Sequence, residues 1–77
     1  MDQETEREIN RIFEAICHKA DGTPVTHSSV ELGDEHPARI KLIADGLRQR
    51  LHERYKTSII NVNVNMANTL VASITHQ

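Results

Sequence analysis

Residues 58–65 read as an alternating run, and from Ile60 to Asn65 apolar and polar residues alternate without a break. Ile60, Val62 and Val64 fall on one side, and Asn61, Asn63 and Asn65 on the other. A period of two marks a β-strand with one buried face, because successive side chains of an extended chain leave opposite faces. Residues 69–75 repeat the pattern: Leu70, Ala72 and Ile74 form an apolar face, and Thr69, Ser73 and Thr75 share the polar face with Val71. Met66-Ala67-Asn68 supplies turn residues between the runs, so the pair predicts an antiparallel hairpin. A lone hairpin is marginal in water. Its apolar face needs a cover, and its sheet needs a third strand or a second subunit.

The cover is legible upstream. Ile9, Ile12, Phe13, Ile16 and Ala20 make one stripe at helical spacing, which predicts a helix over residues 3–20. Gly22 is expected to stop it in a left-handed C′ position, and Thr23-Pro24 to force an extended exit. A second stripe of Ile40, Ile43, Ala44, Leu47 and Leu51 predicts a helix over 36–56. Pro37 is tolerated in its first turn, and Asp34 and Glu35 lie near the positive end of its dipole. In residues 25–32, Val30 and Leu32 alternate with Glu31, predicting a short strand, with a surface loop around Ser28-Ser29 as the alternative. The fold class that follows is α+β. Two amphipathic helices pack on one face of a small antiparallel or mixed sheet, in the order α, possible β, α, β-hairpin.

At 77 residues and 8.7 kDa the chain is read as one small domain, residues 1–77. A domain this size buries only about 60% of its unfolded surface, which favours a homodimer through a sheet edge. No apolar run approaches the roughly 18 residues of a membrane span. The start, Met1-Asp2-Gln3-Glu4, is acidic where a signal peptide is basic then apolar. Cys17 is the only cysteine, which excludes an internal disulfide framework. A cytoplasmic location is the expectation.

The net charge of −2 hides a gradient: residues 1–22 carry −3, residues 23–38 another −3, and residues 39–56 carry +4. At about 100° per residue, Lys41, Arg48 and His52 lie on one flank of the second apolar stripe, and Arg39, Arg50 and Arg54 on the other. Two basic flanks read either as solvated charges framing a core or as a phosphate-binding helix using Arg48, Arg50, Arg54 and Lys56. The overall acidity and the shortage of aromatic residues disfavour a platform for stacking bases.

For chemistry the chain offers little. His18, His27, His36, His52 and His76 include no pair at i, i+4, and there is no Cys-x-x-Cys or His-Glu-x-x-His. His27 and His36 bracket Glu31, Asp34 and Glu35, the only credible ligand cluster, and surface histidines are the simpler reading. Cys17 lies near the C-terminal end of its helix, away from the positive end that activates a thiol, and reads as a buried structural residue. There is no G-x-S-x-G, Walker A or G-x-G-x-x-G motif. Neither an enzyme nor a bound cofactor or metal is expected.

The Asn61, Asn63, Asn65 row is the most unusual feature, since Asn is depleted in strands. With Thr69, Ser73 and Thr75 it builds a polar, uncharged sheet face that can bond a partner without desolvating a charge. Leu42 sits on the far side of the second helix beside Gly46 and Gln49, and a helix-interior Gly lets another element approach closely. Helix followed by Ile59-Ile60-Asn61-Val62-Asn63-Val64 and a return strand resembles the helix-then-hairpin part of ribosome-hibernation factors and of alkaline-shock-type proteins. That resemblance covers residues 40–75 and rests on the alternation. The acidic first helix departs from both patterns, and no family residue is carried across.

The functional expectation is a small non-enzymatic binding protein that regulates or inhibits a larger cytosolic macromolecule, a protein or nucleoprotein complex, as compact phage or mobile-element inhibitors do. Its contact residues are Asn61, Asn63, Asn65, Glu4, Glu8 and Leu42, with the acidic first helix suited to a basic groove. The alternatives are the nucleic-acid module on the basic helix and a metal-responsive protein using His27 and His36. No membrane partner is expected.

Overall fold

The computed structural model describes residues 2–77. The chain folds as α1 (Gln3–Ala20), β1 (Val25–Glu31), α2 (Pro37–Arg54), β2 (Ile59–Val64) and β3 (Thr69–Thr75). The three strands form an antiparallel sheet in the order β1-β3-β2, with both helices on one face. The expected α+β architecture is present, and the third strand comes from the chain itself. Among the described residues no helix is long and apolar enough to cross a membrane.

The core is where the predicted stripes meet. Ile9, Ile12 and Ile16 from α1, Ile43, Leu47 and Leu51 from α2, and Leu70 and Ile74 from β3 are buried almost completely. Removing such side chains from water stabilises by about 1.5–3 kcal/mol each. β1 contributes Leu32, just past its end, and Thr26.

The helix ends differ from the expected ones. Asp2 caps α1, its carboxylate accepting from the Thr5 amide at 2.7 Å. At the other end Asp21 remains right-handed and Gly22 is not left-handed. The last carbonyls are met by Thr23, whose hydroxyl donates to Lys19 O at 3.0 Å and whose amide donates to Ala20 O. The start of α2 is capped by His36, whose Nδ1 accepts from the Ala38 amide at 3.1 Å. Asp34 and Glu35 precede this cap, as expected, and Glu35 lies 3.0 Å from Arg39 in the first turn. The helix ends at Arg54, so Lys56 falls in the following loop.

Asn65 also departs from its expected place. β2 stops at Val64, and the Asn65 side-chain oxygen accepts from the Ala67 and Thr69 amides at 2.9 and 3.0 Å. An asparagine oxygen bonding the backbone ahead of it is a turn device. Asn68 closes the loop at φ 58°, a left-handed conformation that Asn tolerates. Asn65 therefore builds the hairpin turn and is not the third member of a docking row.

Candidate functional site

The register of the sheet determines what its uncovered face carries. Across β1, β3 and β2 the outward side chains align as Val25–Thr75–Ile59, then His27–Ser73–Asn61, then Ser29–Val71–Asn63. Glu31 and Thr69 end the array. Val25, Ile59 and Val71 are exposed at 46%, 50% and 39%. Asn61 and Asn63, as expected, are exposed on this face. Val71 was expected on this face, and Val25 and Ile59 were missed: Ile59 stands two residues before Asn61 and so shares its side of the strand, while Val25 required the register. Met66 stands fully exposed at the hairpin tip.

The helix side is the opposite. Its basic flank is matched by the acidic start of the chain: Arg50 bonds Glu6 and Asn10, Arg54 bonds Asp21 at 2.7 Å, and Arg39 stands between Glu4 and Glu35. Arg39 Nε approaches Glu35 to 3.0 Å but is not aligned to donate. On the other flank Arg48 pairs with Asp45 at 2.8 Å and donates to Val62 O at 2.7 Å. The arginines of the nucleic-acid alternative are thus engaged within the chain, and Lys56 lies apart from them on the loop before β2. Of the acidic residues expected to contact a partner, Glu4 is exposed and reaches Arg39 only at 3.9 Å, whereas Glu8 is bound to Arg11.

Gly46 is also used internally. It does not look away from the core: a Cβ at this position would meet Ile9 Cδ1 of α1 at 2.7 Å. The close approach that a helix-interior glycine permits is therefore the α1–α2 crossing. Leu42, one turn earlier, lies on the shoulder of that seam with 45% exposure.

Two polar clusters remain. Tyr55 donates to Asp21 at 2.6 Å, and Asp21 also receives Arg54. The Tyr55 hydroxyl and then Arg54 hold the Asp21 carboxyl below its ordinary value. Burial, then the bond to Asp21, pushes the Tyr55 hydroxyl well above its own. His76 stacks edge-on against Tyr55, bonds Ser58 Oγ at 2.8 Å through Nδ1 and reaches Ala20 O at 2.9 Å through Nε2. A carbonyl only accepts, so Nε2 carries a proton. Both ring nitrogens are committed to tying β3 to the end of α1, a role invisible in the sequence. Cys17 is buried beside this knot.

At the far end of the sheet, a cleft of about 440 Å³ is lined by Glu8, Glu31, Asp34 and Glu35. Glu8 and Glu35 already have arginine neighbours there. His27 stands on the open sheet face and His36 caps α2, its Nδ1 engaged. Among the described residues no three His, Cys, Asp or Glu side chains are grouped to hold a metal ion.

No protein-family model matches the chain, and neither a curated protein nor a solved structure matches it.

Proposed function

We propose that the protein is a small non-enzymatic binding protein that regulates or inhibits a larger protein or nucleoprotein complex, with the open face of the sheet as its contact surface. The observation that carries this reading is the chemistry of that face. Val25, Ile59 and Val71 stand exposed among Asn61, Asn63, Ser29, Ser73 and Thr75, with Glu31 alone bringing a formal charge. Apolar side chains ringed by neutral hydrogen-bonding groups suit the core of a protein interface, where charge is depleted. The arginines that a nucleic-acid reading needs are held by Glu6, Asp21 and Asp45.

The experiment is a tagged pull-down from the native host, with and without nuclease, run in parallel with a Val71→Arg variant. A stoichiometric protein that survives nuclease and is lost with Val71→Arg is the expected result. A partner retained by Val71→Arg contradicts the assignment of the face. Capture abolished by nuclease contradicts the protein-contact mechanism.

A further inference from the structure

The open face of the sheet is patterned symmetrically about β3. Its central strand presents Thr69, Val71, Ser73 and Thr75. β1 and β2 flank β3 and both run antiparallel to it, so they run parallel to one another. Each row then carries matched side chains at its two ends. Val25 answers Ile59 across Thr75, His27 answers Asn61 across Ser73, and Ser29 answers Asn63 across Val71. The exposed apolar residues thus take one pair of equivalent positions and one position on the central strand. Glu31, on the last row, has no counterpart on β2, which ends at Val64.

Two sheets packed face to face keep their strands aligned to within about 30°. For two identical faces that leaves two kinds of two-fold axis, one across the strands and one along them. An axis across the strands exchanges the ends of the face. It sets Val25 against Glu31 of the second copy and Val71 against its Ser73. An axis along β3 sets β3 on β3, and β1 on the second copy's β2. Val71 then meets Val71, Val25 meets Ile59, His27 meets Asn61 and Ser29 meets Asn63. Apolar groups lie on apolar groups, and each polar group faces one with which it can hydrogen-bond. The two Glu31 carboxylates fall on opposite sides of the axis, past the end of the facing β2, where they stay hydrated.

We infer that in the free protein this face packs on the open face of a second copy, about a two-fold axis along β3, an inference that rests on the reading of the face as the contact surface. Row-by-row correspondence of β1 with β2 is what a self-complementary face requires, and an unrelated partner has no need of it. The consequence is regulation of the same site: a partner must displace the second copy to reach it. Area sets the strength. Three strands of six or seven residues make a face of roughly 15 by 24 Å. Two such faces bury on the order of 1,000 Å², the lower end of specific interfaces, so the dimer is weak and displaceable.

The test is sedimentation equilibrium on purified chains across the micromolar to millimolar range. The wild-type chain is expected to approach twice its 8.7 kDa mass. Val71 lies on the axis and meets its own counterpart. Val71→Arg and Val71→Asp each set like charges together there. Each is expected to weaken the dimer at least about tenfold, with an unchanged circular-dichroism spectrum. An equimolar mixture brings Arg against Asp and is expected to dimerise again. A wild-type monomer throughout overturns the inference. So does a dimer retained by folded Val71→Arg, or a mixture that stays monomeric. Should either variant fail to fold, Ser73→Arg and Ser73→Asp decide in the same way, since Ser73 lies on the same axis. The pull-down reads the proposed function separately. A wild-type monomer that captures a protein lost with Val71→Arg overturns the second copy and keeps the partner. A wild-type dimer that captures nothing does the reverse. One copy of the chain is expected in the captured complex, and two copies would overturn the displacement.

Discussion

On the helix side of the sheet the charges find one another: Glu6 with Arg50, Asp21 with Arg54, Asp45 with Arg48. On the open side Glu31 is the only formally charged outward residue of the three strands, and the remaining outward positions are Asn, Ser, Thr, His, Val and Ile. The contrast shows how a misleading signal arises. Read along the chain, an acidic start and a basic second helix look like two surfaces awaiting partners. Folded, they are the two sides of one seam, and a gradient in sequence becomes neutralisation in space. The surface left without a partner is the one whose residues attract least notice in a charge count.

The largest effect is expected in the core. Leu47 is fully buried where α2 meets the other core elements, so Leu47→Ala is expected to cost about 2–5 kcal/mol in chemical denaturation. A smaller loss would mean the helix layer is not seated on the sheet as described. Next in size is the seam. Gly46→Leu forces a side chain into the space of Ile9, and an overpacking cost of about 1–3 kcal/mol is expected by the same measurement. An unchanged midpoint would return Gly46 to the solvent side.

A gain is expected at Thr26. Its hydroxyl is buried with no hydrogen-bond partner among the described residues. Thr26→Val removes that unpaired group and is expected to stabilise by about 1 kcal/mol. A loss would point to a bond the hydroxyl does make.

The pH response sharpens the contrast further, because its sources lie on α1 and at its end. Asp2 is held below its ordinary value of 3.8 by the Thr5 amide, Glu8 below 4.5 by Arg11, and Asp21 below 3.8 by Tyr55 and Arg54. A carboxylate depressed in the folded state adds stability that is complete above its ordinary value and is lost as pH falls through the folded one. Thermal melts should therefore show an acid limb, with the melting temperature falling as pH drops below about 4.5. Asp21→Asn should lower the plateau and shallow that acid limb. An acid limb unaltered by Asp21→Asn would remove the Tyr55–Asp21–Arg54 cluster from the account.

Much of the architecture was legible because it is periodic. The stripes of α1 and α2 and the alternation of β2 and β3 each repeat a local geometry that sequence records directly. β1 was fainter because its inward positions include Thr26 and Ser28, which weaken the apolar alternation that Val30 and Leu32 carry. What could not be read was non-local. The Asn61, Asn63, Asn65 row looked uniform, yet the last member belongs to the turn. Gly46 advertised a close neighbour, but only the folded chain names Ile9. Val25 and Ile59 lie far apart in sequence and meet across Thr75 only through the sheet register.

One cross-linking experiment compares the two sides of the sheet. A photo-reactive amino acid is placed at Val71 on the open sheet face or at Gln49, an exposed residue of α2, and the cross-linked material from the native host is identified. A discrete protein adduct is expected from position 71 and none from position 49. The same adduct from position 49 with none from position 71 would contradict it, and would return the contact surface to the helices.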